Sequence, residues 1–97
     1  MDIKRFSNPH KLVIIEFWSN ACIPCEKIKP FLEKLEEIYR EKLSITYINI
    51  ANNLSTVEKY NIKDIPTFIF IKNQELIFRI NGFKDNNHFE KVIREYL

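Results

Sequence analysis

The chain holds only two cysteines, and they stand three residues apart as Cys22-Ile23-Pro24-Cys25. Thiols at this spacing can exchange with disulfides, supply half of a metal site, or sit as inert buried groups. Their context separates these possibilities. The apolar run Leu12-Val13-Ile14-Ile15-Glu16-Phe17-Trp18 precedes them, and a long helical pattern opens at them. A helix N-terminus favours an anion, and the thiolate is the reactive form of cysteine. Residues three apart share a helical face, about 5–6 Å between α-carbons, which suits a disulfide. Two cysteines are too few for a secreted disulfide scaffold. A structural zinc site wants four ligands, and His10 and His88 are distant in sequence. Redox chemistry is therefore the expected use of the pair, and no metal or bound cofactor is expected.

The elements that must position these thiols are legible in outline. Ninety-seven residues, 45% hydrophobic and 29% charged, predict one folded domain over 1–97 rather than a disordered chain. The charges, 15 basic and 13 acidic, are mixed along the chain with no basic block, which argues against a nucleic-acid or membrane-surface role. Leu12–Trp18 is too short to span a bilayer and contains Glu16. The first seven residues lack the apolar core of a signal peptide, so a cytoplasmic location is expected.

Leu12–Trp18 is apolar on both faces and reads as a central strand. Cys22 to Lys42 reads as a helix with the stripe Ile28, Phe31, Leu32, Leu35, Ile38 and Tyr39, and with Pro30 inside it as a kink. Ile45–Ile50 is a second strand. Asn52–Tyr60 is a short helix capped by Asn52 or Asn53, with Leu54, Val57 and Tyr60 facing in. Thr67–Ile71 and Leu76–Ile80 are strands joined by a hairpin turn at Lys72-Asn73-Gln74-Glu75. A last helix starts near Asp85-Asn86-Asn87 and buries Phe89, Val92, Ile93, Tyr96 and Leu97. This order predicts an α/β sandwich with a mixed sheet and helices on both faces.

With these residues in place, the chain from Lys11 to Leu97 resembles the thioredoxin family. Phe17-Trp18-Ser19-Asn20-Ala21-Cys22-Ile23-Pro24-Cys25 is similar to the family's F-W-A-x-W-C-G-P-C. Pro30 matches its helix-kinking proline, and Ile65-Pro66-Thr67 its I-P-T, whose proline is cis. Lys72-Asn73-Gln74-Glu75 resembles its K-N-G-E turn, and Gly82 the glycine after the last strand. The departures are as specific. Ala21 replaces a second tryptophan, Ile23 a glycine, Glu16 a buried aspartate, and Tyr47 a lysine that neighbours that aspartate. Glu26 stands where a basic residue often follows the second cysteine. The family's first edge strand and much of its first helix have no counterpart here. The resemblance therefore implies a four-stranded thioredoxin-like sheet, with Ser44–Ile50 at an exposed edge.

The resemblance implies a protein-disulfide reductase. Cys22, its sulfur exposed at the helix start, attacks a substrate disulfide; Cys25 then attacks Cys22 and releases the reduced substrate. Glu16 shares a strand face with Leu12, Ile14 and Trp18 and takes the Cys25 proton, a task for which burial raises its pKa suitably. Trp18, Ile23, Pro24, Ile65, Pro66, Thr67 and Gly82 are the expected substrate-binding residues. A cis bond leaves the Ile65 backbone free to pair with an extended segment. Ile23 is expected to stiffen the loop and shield Cys25, while Lys27 and Lys29 read as a solvated face. The partners expected are disulfide-containing proteins and a separate thioredoxin-reductase-type electron donor, with the chain as a monomer.

Three other readings compete: an oxidase or isomerase of the same fold, a binding module with idle cysteines, and a metal or iron–sulfur site shared by two CxxC pairs in a dimer. Potentials of dithiol proteins run from about −270 to about −120 mV, so two residues between cysteines can reverse net electron flow.

Overall fold

Strand β1 (Leu12–Trp18) is buried along nearly its whole length, as an apolar run on both faces requires. The computed structural model describes residues 2–97. β1 pairs on one side with β2 (Leu43–Asn49) in parallel and on the other with β3 (Thr67–Lys72) in antiparallel fashion. β4 (Glu75–Asn81) pairs antiparallel with β3, which completes a mixed four-stranded sheet of order β2-β1-β3-β4. Parallel neighbours need a crossover, and helix α1 (Ile23–Ile38) supplies it. A 3-10 turn at Ile50–Asn52 and the short helix α2 (Leu54–Lys59) lead to β3, and α3 (Asn86–Tyr96) closes the chain.

The period-two alternation of β1 divides the core. Leu12 and Ile14 face one side with Leu43, Ile45, Phe68 and Phe70, where α1 contributes Ile28, Leu32 and Leu35 and α3 contributes Phe89, Val92 and Ile93. Val13, Ile15 and Phe17 face the other side with Ile48, Ile69 and Ile71, covered by Ile3, Ile62, Val57 and Tyr60. Helices thus lie on both faces of the sheet. Phe89 is the hub of an aromatic cluster, with its ring 4.7 Å from Phe68 and 5.6 Å from Phe83.

Several local expectations need correction. The first helix ends at Ile38 rather than Lys42. The backbone N–H of Tyr39 caps it on Leu35, and the N–H groups of Lys42 and Leu43 turn back onto the Tyr39 carbonyl to start β2. Ile38, in the terminal turn, is therefore exposed, while Tyr39 packs on the core. Leu54 is 70% exposed, although it was expected to face in. It opens a helix of six residues whose buried position is Thr56, while Val57 and Tyr60 pack partly buried against the core as expected. Asn53 holds the cap position without a side-chain cap bond; its amide donates to the Asn49 carbonyl instead. The third and fourth strands run one residue or so further than expected, and Asp85 caps α3 by accepting the His88 N–H at 2.8 Å.

β2 is the sheet's edge beside β1, as anticipated. Glu36 reaches from α1 to accept the Ile45 N–H at 2.9 Å, which occupies one donor of that open edge. In the β3–β4 hairpin, Asn73 and Gln74 both have positive φ, the backbone of a two-residue turn that matches sheet twist. Gly82 has φ +88°, and its N–H donates to the Pro66 carbonyl at 2.7 Å. No atom lies within 4 Å of where a Cβ would stand, so the glycine is required by its backbone alone. Gly82→Ala is accordingly expected to lower unfolding free energy by about 1–2 kcal/mol, measured by urea titration; an unchanged midpoint would contradict the backbone argument.

Candidate active site

The cysteines sit where β1 ends and α1 begins. After Trp18 a short loop turns the chain, and the Cys22 N–H donates to the Ser19 carbonyl. Cys22 is the N-cap of α1, and Pro24 occupies the first turn, where a missing N–H costs nothing. The Cys22 sulfur accepts the Cys25 backbone N–H at 3.2 Å. A sulfur anion at this position would keep that donor and gain the helix dipole. The two cysteines are joined in a disulfide, with their α-carbons 5.3 Å apart.

Neither cysteine is openly exposed. Cys22 is 7% and Cys25 5% accessible, which corrects the expectation of an exposed Cys22 sulfur. Ile23 does not cover them either: it is 65% exposed and stands outward beside the disulfide. What gives access is a cavity of about 360 Å³ that both cysteines line. Its walls also include Glu16, Trp18, Glu26, Lys29 and Tyr47. The α1 members, Cys22, Cys25, Glu26 and Lys29, follow helical spacing, so one face of the helix looks into the cavity. Lys29 is exposed yet belongs to this wall, not simply to a solvated face.

Glu16 lies beneath that face. Strand parity places it with Leu12 and Ile14 under α1, and it is 2% exposed. Its Oε2 has no hydrogen-bond partner. Burial pushes its pKa up to about 7, and the charge of Lys29 opposes that rise. Tyr47, directly opposite Glu16 in the β1–β2 register, also presents a buried hydroxyl without a partner, as does the Trp18 indole N–H. Burial foremost, then the nearby carboxylates Glu16, Glu36 and Glu33, push the Tyr47 hydroxyl up to about 12.

The remaining expected residues lie outside the cavity wall. The Ile65–Pro66 bond is cis, Pro66 is buried and Ile65 is half-buried. The Ile65 N–H and carbonyl make no hydrogen bond among the described residues. Thr67 was expected to meet substrate, but its side chain is fully enclosed and its hydroxyl donates to the Asp64 carbonyl. It braces the turn before β3. Lys29 and Tyr47 are the residues the sequence reading undervalued. Helical spacing from Cys25 marked the first, and the strand position opposite Glu16 marked the second. No three His, Cys, Asp or Glu side chains converge as a metal site among the described residues.

The thioredoxin family model matches residues 3–95. The chain belongs to the thioredoxin family. Curated proteins named thioredoxin are among its relatives. That of Buchnera aphidicola is 42% identical over 67 residues, 69% of this chain and 62% of that protein, under two thirds of its length. That of Bacillus subtilis is 33% identical over 86 residues, 89% of this chain and 83% of that protein. That of Staphylococcus saprophyticus is 33% identical over 84 residues, covering 87% and 81%. With its disulfide at the head of α1, this thioredoxin-family chain is a thiol–disulfide oxidoreductase.

The buried carboxyl has a consequence for stability. Its folded pKa of about 7 lies above the ordinary carboxyl value of 4.5, so between these pH values the folded state holds a proton that the unfolded state has lost. Stability must then fall as pH rises from about 4.5 to 7, by about 3 kcal/mol. Glu16→Gln is expected to remove most of this decline and to be the more stable protein at pH 8. Denaturant unfolding of the oxidised proteins at pH 5 and pH 8 checks this; parallel pH dependence in both would overturn it.

Proposed function

We propose that the chain reduces disulfides of other proteins, with Cys22 as nucleophile, Cys25 as resolving thiol and Glu16 as proton acceptor. The observation that supports a proton acceptor is the cavity, which brings a buried carboxyl with a pKa of about 7 to the space both cysteines line; the N-cap position of Cys22 supports its role as nucleophile. Reduced protein begins the cycle. The Cys22 thiolate attacks one sulfur of the substrate disulfide, forms a mixed disulfide and expels the other substrate sulfur as a thiolate. The Cys25 thiol passes its proton to Glu16, attacks Cys22 Sγ and expels the second substrate thiolate. Two electrons have moved from the dithiol to the substrate, and the Cys22–Cys25 disulfide remains.

The exposed Ile23 and Pro24, the Trp18 beside the loop and the unpaired backbone of Ile65 form the expected landing surface for an extended, partly apolar segment. Pro66 and Gly82 complete the expected surface, the Gly82 N–H donating to the Pro66 carbonyl. On this reading the single domain 1–97 works as a monomer in the cytoplasm, and a separate thioredoxin-reductase-type enzyme returns the electrons. No helix among the described residues is long and apolar enough to cross a membrane.

Insulin reduction with dithiothreitol as donor tests the reading. Turnover is expected from the intact chain and none from Cys22→Ser. Cys25→Ser is expected to accumulate a mixed disulfide with substrate, seen as an added mass that a reductant removes. Activity retained by Cys22→Ser would reject the assignment of the nucleophile. For the resolving step, Glu16→Gln is expected to slow release at neutral pH by about 10- to 100-fold, in the usual range for loss of a general base or somewhat below it. An unchanged rate would remove Glu16 from the mechanism.

A further inference from the structure

Helix α2 ends in a chain reversal. Asn61 has φ 52°, the left-handed backbone that Asn adopts at a helix end. The Ile62 N–H donates to the Val57 carbonyl and the Asn61 N–H to the Glu58 carbonyl, the paired bonds of a Schellman cap. This cap leaves the Tyr60 and Asn61 carbonyls open. Arg79, from β4, takes both: Nη1 donates to the Tyr60 carbonyl at 2.5 Å and Nη2 to the Asn61 carbonyl at 2.9 Å. Its Nε donates to Asn81 Oδ1 at 2.8 Å, which fixes the plane of the guanidinium. Register sets Arg79 opposite Ile69, on the sheet face that α2 covers. Among the described residues no carboxylate pairs with Arg79, so its charge is directed at backbone oxygens.

The chain held in this way leads into the expected landing surface. From Asn61 it passes through the buried Ile62 and the exposed Lys63 and Asp64 to Ile65. Its far end is tied as well: the Thr67 hydroxyl donates to the Asp64 carbonyl, and the Gly82 N–H to the Pro66 carbonyl. Thr67 itself pairs with Asn81, so both ends of the segment are anchored on residues 79–82. Between the anchors the Ile65 N–H and carbonyl make no hydrogen bond. We propose that Arg79 is a positioning residue for substrate capture, its guanidinium clamping the chain at Tyr60 and Asn61 to the end of β4 so that the Ile65 backbone meets an extended substrate segment already in place. The proposal rests on Ile65 as a landing surface and adds the group that holds it. A loop ordered beforehand costs its partner less to bind, so loss of the clamp acts on affinity rather than on sulfur chemistry.

The test uses the reduced full chain and a short peptide whose cysteine carries an aromatic thiol in disulfide linkage. Cys22 attacks the peptide sulfur, and the coloured aromatic thiolate leaves. A second peptide has methylated backbone nitrogens on either side of that cysteine, which removes its donors for strand pairing. A symmetric aromatic disulfide, with no peptide backbone, is the control. In the intact chain methylation is expected to raise the half-saturating peptide concentration by about 10-fold, the loss of roughly one hydrogen bond, and to leave the limiting rate unchanged. Arg79→Met is expected to raise the half-saturating concentration of the plain peptide by a similar factor and to abolish the difference between the peptides. Its limiting rate and its rate with the aromatic control are expected to match those of the intact chain. Arg79→Lys keeps the charge but not the two-pronged fork, and is expected to behave as Arg79→Met does. Variants that still distinguish the peptides as the intact chain does, or that slow the aromatic control as much as the peptide, overturn the positioning role while leaving the Ile65 surface in place. An intact chain that treats the two peptides alike overturns the Ile65 surface and the Arg79 role with it.

Discussion

The burial of β1 governs this molecule. A strand enclosed on both faces and paired on both edges cannot move, so whatever its last residues carry is delivered to a fixed point. It carries Trp18 and, four residues later, Cys22. The same burial makes Glu16 expensive as a charge. One carboxylate among Leu12, Ile14 and the α1 side chains costs the fold stability at neutral pH, and that cost is what brings its ionisation near the pH at which a thiol must lose a proton.

Helix α1 makes this buried acid useful. Its N-terminus holds the sulfur pair, and the face beginning at Cys22 continues through Cys25, Glu26 and Lys29 over the top of Glu16. Cys25 and Glu16 come from different elements, brought together by the βαβ crossover. Both line one cavity. The Cys22 residue is 7% exposed, while the neighbouring Ile23 stands outward at 65%.

Most elements were legible in the sequence because their signals are strong and local. Leu12–Trp18 had no polar face to present to water, so a central strand was its only good solution. The α1 and α3 stripes fixed which side of each helix packs, and Asp85 marked the start of the last helix. Errors fell where a local pattern had to yield to its surroundings. Ile38 belonged to the stripe by spacing, but the chain leaves the helix at Tyr39 to reach β2. Leu54 looked like a core residue, but a helix of six residues is oriented by what precedes it, and its buried position fell on Thr56, with Val57 only partly buried. Thr67 sat inside a motif expected to meet substrate, yet its hydroxyl had a nearer partner at Asp64.

The sequence by itself determined the chemistry: two thiols at helical spacing behind an apolar strand admit little besides disulfide exchange, because the helix start favours the thiolate and the spacing permits ring closure. It also determined that Glu16 shares a face with the core, since strand parity leaves no freedom. The family resemblance implied Tyr47 as a neighbour of that carboxyl, but only the tertiary structure decided the register and distances around it. Tyr47 lies 31 positions away in the chain and Lys29 was one of several surface lysines until α1 was laid across the sheet. Parallel register set Tyr47 opposite Glu16, and the rotation of the helix set Lys29 above it. Electrostatics and solvation depend on distances between distant segments, which chain order does not contain.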